Sequence, residues 1–299
     1  MSALIESFLA NDGKAKFIES IEQNALKGKN ILLLGGFIEE FARALKQQGV
    51  NFSSLESQNE FKDSIQVFLL HPLNLNSYPK ILHFLYEVGS EEAIIALLVS
   101  AFYSVYGGDL ELKTFVESLD VGNLASECNL SEEELEQIAR SFKSQKSMIV
   151  VGKDLNTHKR VHNIGKILAL LARAFSQIEI IFLESAPKEV TARKKMPIET
   201  LEGLECYNGL VAYLQNKPLE EPILEVSKQF SQVGKIQEEG KIEVQFLESQ
   251  KTIQAKLHKN MELKGMVGIL WIPLALDFKD FLDLNNGFCY KQVKISKVA

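Results

Sequence analysis

Uninterrupted apolar runs alternate with amphipathic helical segments in the first part of the chain. Two of these runs, at residues 31–34 and 148–151, each precede glycine, a turn and a helical pattern, and a third run lies at 178–183. Short apolar runs between helices are typical of strands that are buried on both faces of a parallel sheet. The order of the elements predicts an α/β fold with a doubly wound, mainly parallel, Rossmann-like sheet.

Other patterns fill the stretch between these strands. A run at 65–70 predicts a strand that ends before Pro72, because proline cannot donate to a sheet ladder. The apolar spacing over 77–88 predicts a helix. Ser131 and Glu134 have the spacing of a capping box, in which each side chain accepts from the other residue's backbone N–H, so a helix is expected to begin there.

The C-terminal third has a different pattern. Helical periodicity weakens and prolines recur over 187–237, which we interpret as an irregular connecting segment. Alternating apolar residues return at 242–246 and 253–257, as expected of strands with one buried face. The predicted regions are therefore a Rossmann-like α/β region at 1–186, the connecting segment at 187–237, and a small, mainly antiparallel β subdomain at 238–299.

Composition limits the classes of function. The chain has 299 residues, of which 46% are hydrophobic, and a net charge of −6. Its basic residues are scattered, which argues against a nucleic-acid partner because a phosphate-binding surface needs concentrated Lys and Arg. The N-terminus lacks the pattern of a signal peptide. The longest apolar stretch, 93–103, is about half as long as a membrane-spanning helix, so we expect a cytoplasmic protein without direct membrane insertion.

The sequence contains no catalytic or metal-binding motif. Cys128, Cys206 and Cys289 are far apart, which disfavours a disulfide framework, a zinc site and an iron–sulfur cluster. His158 and His162 are four residues apart but lack the carboxylate of an H-E-x-x-H motif. No G-x-S-x-G elbow is present. We therefore assign no catalytic residue and no metal ligand, and redox chemistry would require a bound cofactor.

The two glycine turns are the candidate ligand site. Each precedes a predicted helix, whose N-terminal amides and dipole favour an anion such as phosphate, and glycine allows close approach. Neither turn has the full dinucleotide or P-loop motif, and glycine is also common there for steric reasons alone. The candidate cofactor-binding residues are Gly35, Gly36, Phe37, Gly152, Lys153, Asp154, Thr157 and His158.

Several segments resemble the large peripheral-arm subunit of bacterial NADH-quinone oxidoreductase, respiratory complex I. The denser matches are EVGSEEA at 87–93, SEEELEQIA at 131–139, IVVGKDLNTH at 149–158 and NIGKILAL at 163–170, with weaker matches at 263–265 and 290–295. The matching part of that subunit is its molybdopterin-oxidoreductase-like region. The cysteine-rich N-terminal region of that subunit has no counterpart here.

The chain is more similar to the short, atypical complex I component of Helicobacter and Campylobacter relatives, which stands in place of the NADH-oxidising flavoprotein. This resemblance implies bound FAD, other peripheral-arm subunits as partners, and a place at the inner membrane through that complex. It also implies reduced flavodoxin or ferredoxin as the electron donor, and the NADH- and FMN-binding glycine motifs of the standard flavoprotein are absent. Two alternatives stay open: a cofactor-free structural subunit of the same complex, and a nucleotide-dependent enzyme outside respiration.

Overall fold

The structure is a computed structural model that divides into two compact units. It describes residues 2–22, 28–47, 66–75, 81–144, 146–186, 195–201, 203–204, 207–236, 238–276 and 288–298. The first unit, here called the sheet unit, comprises residues 1–71, 78–156 and 160–204. The second, the barrel unit, comprises residues 72–77, 157–159 and 205–299.

Fourteen strands and eight α-helices lie in the described part of the chain. The strands are β1 (Lys16–Phe17), β2 (Asn30–Leu34), β3 (Val67–Leu70), β4 (Asn74–Leu75), β5 (Leu82–Phe84), β6 (Ser147–Val151), β7 (Ile178–Phe182), β8 (Val211–Lys217), β9 (Ile223–Val226), β10 (Gly240–Phe246), β11 (Thr252–Lys259), β12 (Leu263–Lys264), β13 (Val267–Pro273) and β14 (Tyr290–Lys297). The helices are α1 (Ala3–Ala10), α2 (Ile38–Gln47), α3 (Glu91–Tyr106), α4 (Leu110–Glu117), α5 (Val121–Cys128), α6 (Glu132–Ser144), α7 (Val161–Ala174) and α8 (Lys228–Val233).

The sheet unit is built on six parallel strands in the order β1-β7-β6-β2-β3-β5. Leu34, at the end of β2, is in register with Leu70 on one side and Val151 on the other. All five residues of β2 are buried, as expected of a central strand covered on both faces. The predicted α/β fold with a parallel sheet is confirmed.

The main core of the sheet unit joins one face of the sheet to helices α1, α3, α6 and α7. Leu32 and Leu34 belong to this core, whereas Ile31 and Leu33 are equally buried but lie outside it, because successive strand residues point to opposite faces. Full burial of such a side chain contributes about 1.5–3 kcal/mol. The apolar runs are therefore uninterrupted because both faces of these strands are covered.

Of two helix predictions from local sequence patterns, the structure confirms one and contradicts the other. Ser131 Oγ accepts from the N–H of Glu134, whose Oε2 accepts from the N–H of Ser131, so the predicted capping box at the start of α6 is confirmed. The predicted helix over 77–88 is wrong in its described part, where β5 pairs in parallel with β3. Leu82 and His83 are on a strand at the edge of the sheet, and this long-range pairing overrode the local helical spacing.

The barrel unit contains a closed barrel with the strand order β10-β11-β9-β13-β8-β14. Four neighbouring pairs are antiparallel, whereas β13·β8 and β11·β9 are parallel. Tyr213 and Tyr290 face each other across β8 and β14, and their rings stack with centroids 4.6 Å apart. Such an aromatic pair contributes about 0.5–1.5 kcal/mol beyond its buried area. The closed barrel is a finding that the sequence patterns did not predict.

The interpretation of residues 187–237 as irregular is corrected by this barrel. Strands β8 and β9 and helix α8 all lie within that segment, so barrel strands begin at Val211 rather than near residue 238. The first four residues of β8 are buried without alternation, because its neighbour β13 is parallel and both of its faces are covered. Alternation of apolar and polar residues, the sequence signal of a half-buried strand, is therefore absent from the start of β8.

The barrel has a two-fold symmetric topology. Exchanging β8, β9 and β10 for β11, β13 and β14 converts the parallel pair β8·β13 into the parallel pair β11·β9. The same exchange converts the antiparallel pair β10·β11 into the antiparallel pair β14·β8, and it returns β9·β13 and β10·β14 to themselves. The sequence shows no corresponding tandem repeat, so the symmetry is in the connectivity alone.

An ionic network attaches residues 195–201 to the helices of the sheet unit. Arg160 donates to Glu92 at 3.2 Å and to Glu199 at 2.9 Å, and Lys166 donates to Glu199 at 2.6 Å. Asn163 exchanges hydrogen bonds with the backbone N–H and carbonyl of Glu199. Lys166 is only 5% exposed, so its charge depends on Glu199 for compensation. The hydrogen bond from Lys166 is the largest cause that lowers the pKa of Glu199 below its ordinary value.

We expect Glu199→Gln to lower the free energy of unfolding at pH 7 by about 1 kcal/mol, a value kept small because Glu199 is half exposed. A carboxylate with a lowered pKa in the folded state stabilises the protein above its unfolded pKa, and this stabilisation is lost as the pH falls through the folded value. Denaturant titrations of both proteins should therefore converge as the pH is lowered to about 3. Exposed Glu22 provides the control, Glu22→Gln. A difference from wild type that is the same at pH 7 and pH 3 would contradict the assignment.

Candidate functional site

The candidate site lies where the order of the parallel strands reverses direction. From β2 the chain continues to β3 and β5 on one side, and β6 and β7 lie on the other side of β2. The reversal point is therefore between β2 and β6. In open α/β sheets a crevice forms outside the carboxyl ends of the strands at this point, and ligands bind there. Both predicted glycine turns follow these two strands.

The two glycine turns pack directly against each other. A Cβ atom on Gly152 would lie 2.4 Å from the carbonyl oxygen of Gly35, and a Cβ atom on Gly36 would lie 2.9 Å from the Cα atom of Gly152. Gly35 has a φ of +63°, and a Cβ atom there would lie 2.4 Å from the side chain of Leu155. Each glycine is therefore required for close packing within the protein.

The backbone donors of the second turn are also used within the protein. The N–H of Gly152 donates to the carbonyl oxygen of Leu34 at 2.8 Å, and the N–H of Asp154 donates to that of Gly35 at 3.0 Å. These bonds extend the β2–β6 pairing beyond the ends of the strands. Gly152 and Asp154 consequently do not offer their amides to a phosphate in this conformation.

Carboxylates already surround the first turn of α2, at the end that would favour an anionic ligand. Glu39 and Glu40 lie in this turn. Burial is the largest cause that raises the pKa of Glu40, and the Asp154 carboxylate raises it further, against the lowering effects of Lys153 and Arg43. Acidic side chains therefore occupy the helix end where a diphosphate would bind, and the role of the glycine turns as its cradle stays a prediction.

A buried histidine–carboxylate pair lies at the carboxyl ends of β3 and β6. The Nε2 atom of His71 is 3.7 Å from Oδ2 of Asp154, and both side chains are less than a tenth exposed. His83 on β5 lies beside this pair, with its Nε2 atom 3.1 Å from the carbonyl oxygen of His71. Burial, with a smaller effect of His71, lowers the pKa of His83 to about 4. His83 is therefore neutral at pH 7 and carries its proton on Nε2.

A second polar group lies at the carboxyl ends of β6 and β7. Asn156 donates from Nδ2 to Oε1 of Glu184 at 2.5 Å, and the same oxygen accepts from Ser2 Oγ at 3.0 Å. The Oδ1 atom of Asn156 is buried and has no hydrogen-bond partner among the described residues. A buried acceptor without a donor is costly, which makes Asn156 Oδ1 a place where a ligand hydroxyl or N–H would be favourable.

The other predicted site residues lie in different surroundings. Phe37 is 3% exposed and is a core residue rather than an open stacking surface, and Lys153 is exposed. Thr157 ends a short 3₁₀ helix that begins at Asp154. His158 belongs to the barrel unit, where its ring packs edge-on against Phe288 with centroids 5.3 Å apart. The sheet unit thus brings together Gly35, Gly36, Gly152 and Asp154, but the role of the full predicted set in cofactor binding stays a prediction.

Sequence reasoning missed His71 and Glu184, whereas Asn156 lies between the predicted site residues Asp154 and Thr157. In the sequence His71 is an isolated histidine, and Glu184 is one of 39 acidic residues. Their shared signal is their position directly after an apolar run, because carboxyl ends of neighbouring parallel strands meet at one edge of the sheet. The local sequence pattern does not show that β2 pairs with β6. It therefore cannot indicate which side chains meet at the carboxyl ends of these strands.

Comparisons with known proteins do not identify a family. No family model matches the chain, and no curated protein shows significant similarity to it. Within the described residues, no helix has the length and apolar character needed to cross a membrane. The same part of the chain holds no group of three or more His, Cys, Asp or Glu side chains arranged to bind a metal ion.

We expect Gly152→Ala to destabilise the sheet unit by about 2 kcal/mol or more, because the new methyl group would overlap backbone atoms that cannot move aside easily. The matched control is Gly122→Ala in α5, where a Cβ atom would meet no other atom within 4 Å. That substitution should stabilise the protein by about 0.5–1 kcal/mol through helix propensity. Thermal or urea unfolding measures both effects, and equal stability of the two variants would disprove the close packing of the turns.

Proposed function

We propose that the chain is a flavin-binding subunit through which electrons enter an assembly of the respiratory complex I type. The electron donor in this proposal is a reduced flavodoxin or ferredoxin, and the cofactor is FAD. Two lines of support carry it. The first is the resemblance of residues 87–183 to the large peripheral-arm subunit, and the second is the strand reversal between β2 and β6, where open α/β sheets bind ligands.

The strand order also supports a Rossmann-like interpretation of the sheet unit. Numbered along the chain from β2, the central five strands have the order 3-2-1-4-5, which is that of the dinucleotide-binding α/β folds. The unit β6–α7–β7 begins with the Gly152 turn and ends near Glu184. In such folds the acidic residue that binds a ribose hydroxyl follows strand 2 of this numbering, and Glu184 has the matching position after strand 5, in the second βαβ half.

The observation that best supports a ligand at this edge is the buried, unpartnered Oδ1 atom of Asn156. In this proposal Asn156 accepts from a hydroxyl or N–H group of FAD, and Glu184 accepts a second hydroxyl through Oε2, since its hydrogen bonds within the described residues both end on Oε1. Lys153 is exposed and supplies a positive charge for the diphosphate. The chemistry that a bound flavin supplies is electron transfer, and the residues of this chain bind and orient it.

The second candidate function is a cofactor-free structural subunit of the same assembly. It is favoured by the packing of Gly35, Gly36 and Gly152, which explains these glycines without any ligand. The carboxylates of Glu39 and Glu40 at the start of α2 also favour this alternative, because they disfavour an anionic ligand there. In this alternative the sheet and barrel units serve as surfaces for neighbouring subunits.

Flavin retention tests the proposal directly. The purified chain is mixed with FAD or FMN, passed through gel filtration and scanned for the visible flavin bands, and titration of flavin fluorescence gives Kd. We expect FAD to be retained and Asn156→Leu to weaken binding roughly tenfold or more, because a hydrogen-bond acceptor for the ligand is lost. Gln137→Leu, on the exposed side of α6, is the control and should bind as wild type does.

The stability of Asn156→Leu separates the two candidates further. Asn156→Leu removes the unpartnered acceptor together with the Nδ2 donor to Glu184, so we expect it to lower the free energy of unfolding by about 1 kcal/mol. A variant that is still fully folded under the conditions of the binding assay shows that lost binding is not lost structure. If wild type and Asn156→Leu retain FAD equally, Asn156 does not contact the flavin and the site assignment is wrong. A chain that retains neither FAD nor FMN would reject the electron-entry role in favour of the structural one.

A further inference from the structure

A groove of about 720 Å³ lies between helices α4 and α5 and residues 197–201 and 203–204 of the sheet unit. It lies outside the candidate flavin site, and no residue of that site lines it. Both helices pack on α3, so its walls are fixed to the core of the sheet unit. The groove therefore has a preformed shape.

The wall from α4 presents one face of the helix. Glu111, Phe115 and Ser118 all line the groove, and residues spaced by three, four or seven positions lie on the same side of a helix. The eight residues of α4 correspond to a length of about 12 Å, or roughly two helical turns. A partner helix of two to three turns would match this length.

The wall from α5 has the same spacing. Asp120, Leu124 and Glu127 line the groove and are separated by four and three positions. Asp120 caps the N-terminus of α5 by accepting from the N–H of Asn123 at 3.2 Å. The two acidic side chains therefore lie two turns apart on the groove side of α5.

The floor of the groove is apolar and only partly buried. Six of its side chains pack against the main core of the sheet unit from outside, and they are Phe115, Leu119, Leu124, Ile198, Leu201 and Leu204. The core residue Leu170 lies beneath them. A contiguous group of this kind differs from the single exposed hydrophobic residues of an ordinary surface, and it marks a binding surface.

The charge of the groove is one-sided. Four carboxylates line it, and no Lys, Arg or His occurs among its described lining residues. Glu111 is paired with Arg173 at 2.7 Å, and Glu199 is paired with Lys166 and Arg160. For Asp120 and Glu127 no cation lies within ion-pair distance among the described residues. These two carboxylates are therefore available to a cationic partner.

We propose that this groove binds a basic amphipathic helix of a partner protein. The apolar face of such a helix covers the apolar floor, in the helix-in-groove mode of recognition. Its Lys or Arg side chains reach Asp120 and Glu127 at the rim, which adds specificity and speeds association more than it adds affinity. The proposal stands on the groove alone and holds whether or not the chain binds a flavin.

A fluorescein-labelled peptide of about 11 leucine and lysine residues, or roughly three helical turns, arranged with helical periodicity, is the probe for this groove. Fluorescence anisotropy with the full chain should show saturable binding that weakens with salt. A peptide of the same composition in scrambled order, which cannot form an apolar face, should bind at least about tenfold more weakly, because it cannot cover the floor.

The double variant Asp120→Asn, Glu127→Gln removes both charges while asparagine keeps the helix cap. We expect it to weaken probe binding roughly fivefold to tenfold and to reduce the salt dependence. The matched control, Glu220→Gln with Glu221→Gln, removes two exposed charges from the barrel unit and should bind as wild type does. A second variant, Leu201→Ser, should weaken binding through the floor without changing the salt dependence.

Four results would overturn the proposal. One is a peptide affinity that is equal for wild type and the charge-neutralised groove variant, and another is equal affinity for the ordered and scrambled peptides. The third is absence of peptide binding together with binding of spermine that depends on Asp120 and Glu127, which would assign the groove to a small polycation. The fourth is a concentration-dependent dimer of the wild-type chain that Leu201→Ser abolishes, which would show that a second copy of the chain occupies the groove.

Discussion

The contact on which the sheet unit depends is the close approach of the turns that follow β2 and β6. Gly152 can sit against Gly35 and Gly36 only because none of them has a side chain, and the hydrogen bonds from Gly152 and Asp154 lock the turns together. This contact continues the central strand pair and brings the ends of its neighbouring strands to one edge. His71, Asp154 and Asn156 acquire their relation to one another through it.

Because of this contact, the glycines have a role in packing, whereas their position in the sequence suggests a phosphate-binding role. A glycine after a parallel strand indicates a phosphate site when its open face points to solvent, but here each open face is covered by protein. The proposed ligand at this edge would therefore be recognised by side chains, and Asn156 there has a buried acceptor with no donor among the described residues. Glycine after a parallel strand can thus serve the packing of the protein alone.

Most of the parallel sheet could be predicted because its strands are buried on both faces and leave uninterrupted apolar runs, as in β2 and β6. The capping box of Ser131 and Glu134 is equally local and was correct. The wrong prediction of a helix over 77–88 and the failure to predict β8 have the same physical cause. Their conformations are set by partners distant in the sequence, β3 for the first and β13 for the second, and no local pattern reports such pairing. The side chains of the candidate site depend on the same distant pairings.

The two units solve the problem of unpaired strand edges in different ways, and this bears on where partners bind. The barrel has no free edge, since its six strands close on themselves with two-fold symmetric connectivity. The sheet ends in the short strands β1 and β5, whose two and three residues offer little backbone for pairing. The barrel and the six-stranded sheet, as far as the structure describes them, therefore offer little backbone for an added strand. The partly exposed leucines and unpaired carboxylates between α4 and α5 offer what the strand edges lack, so helices of this chain, rather than its sheets, are the surface suited to a protein partner.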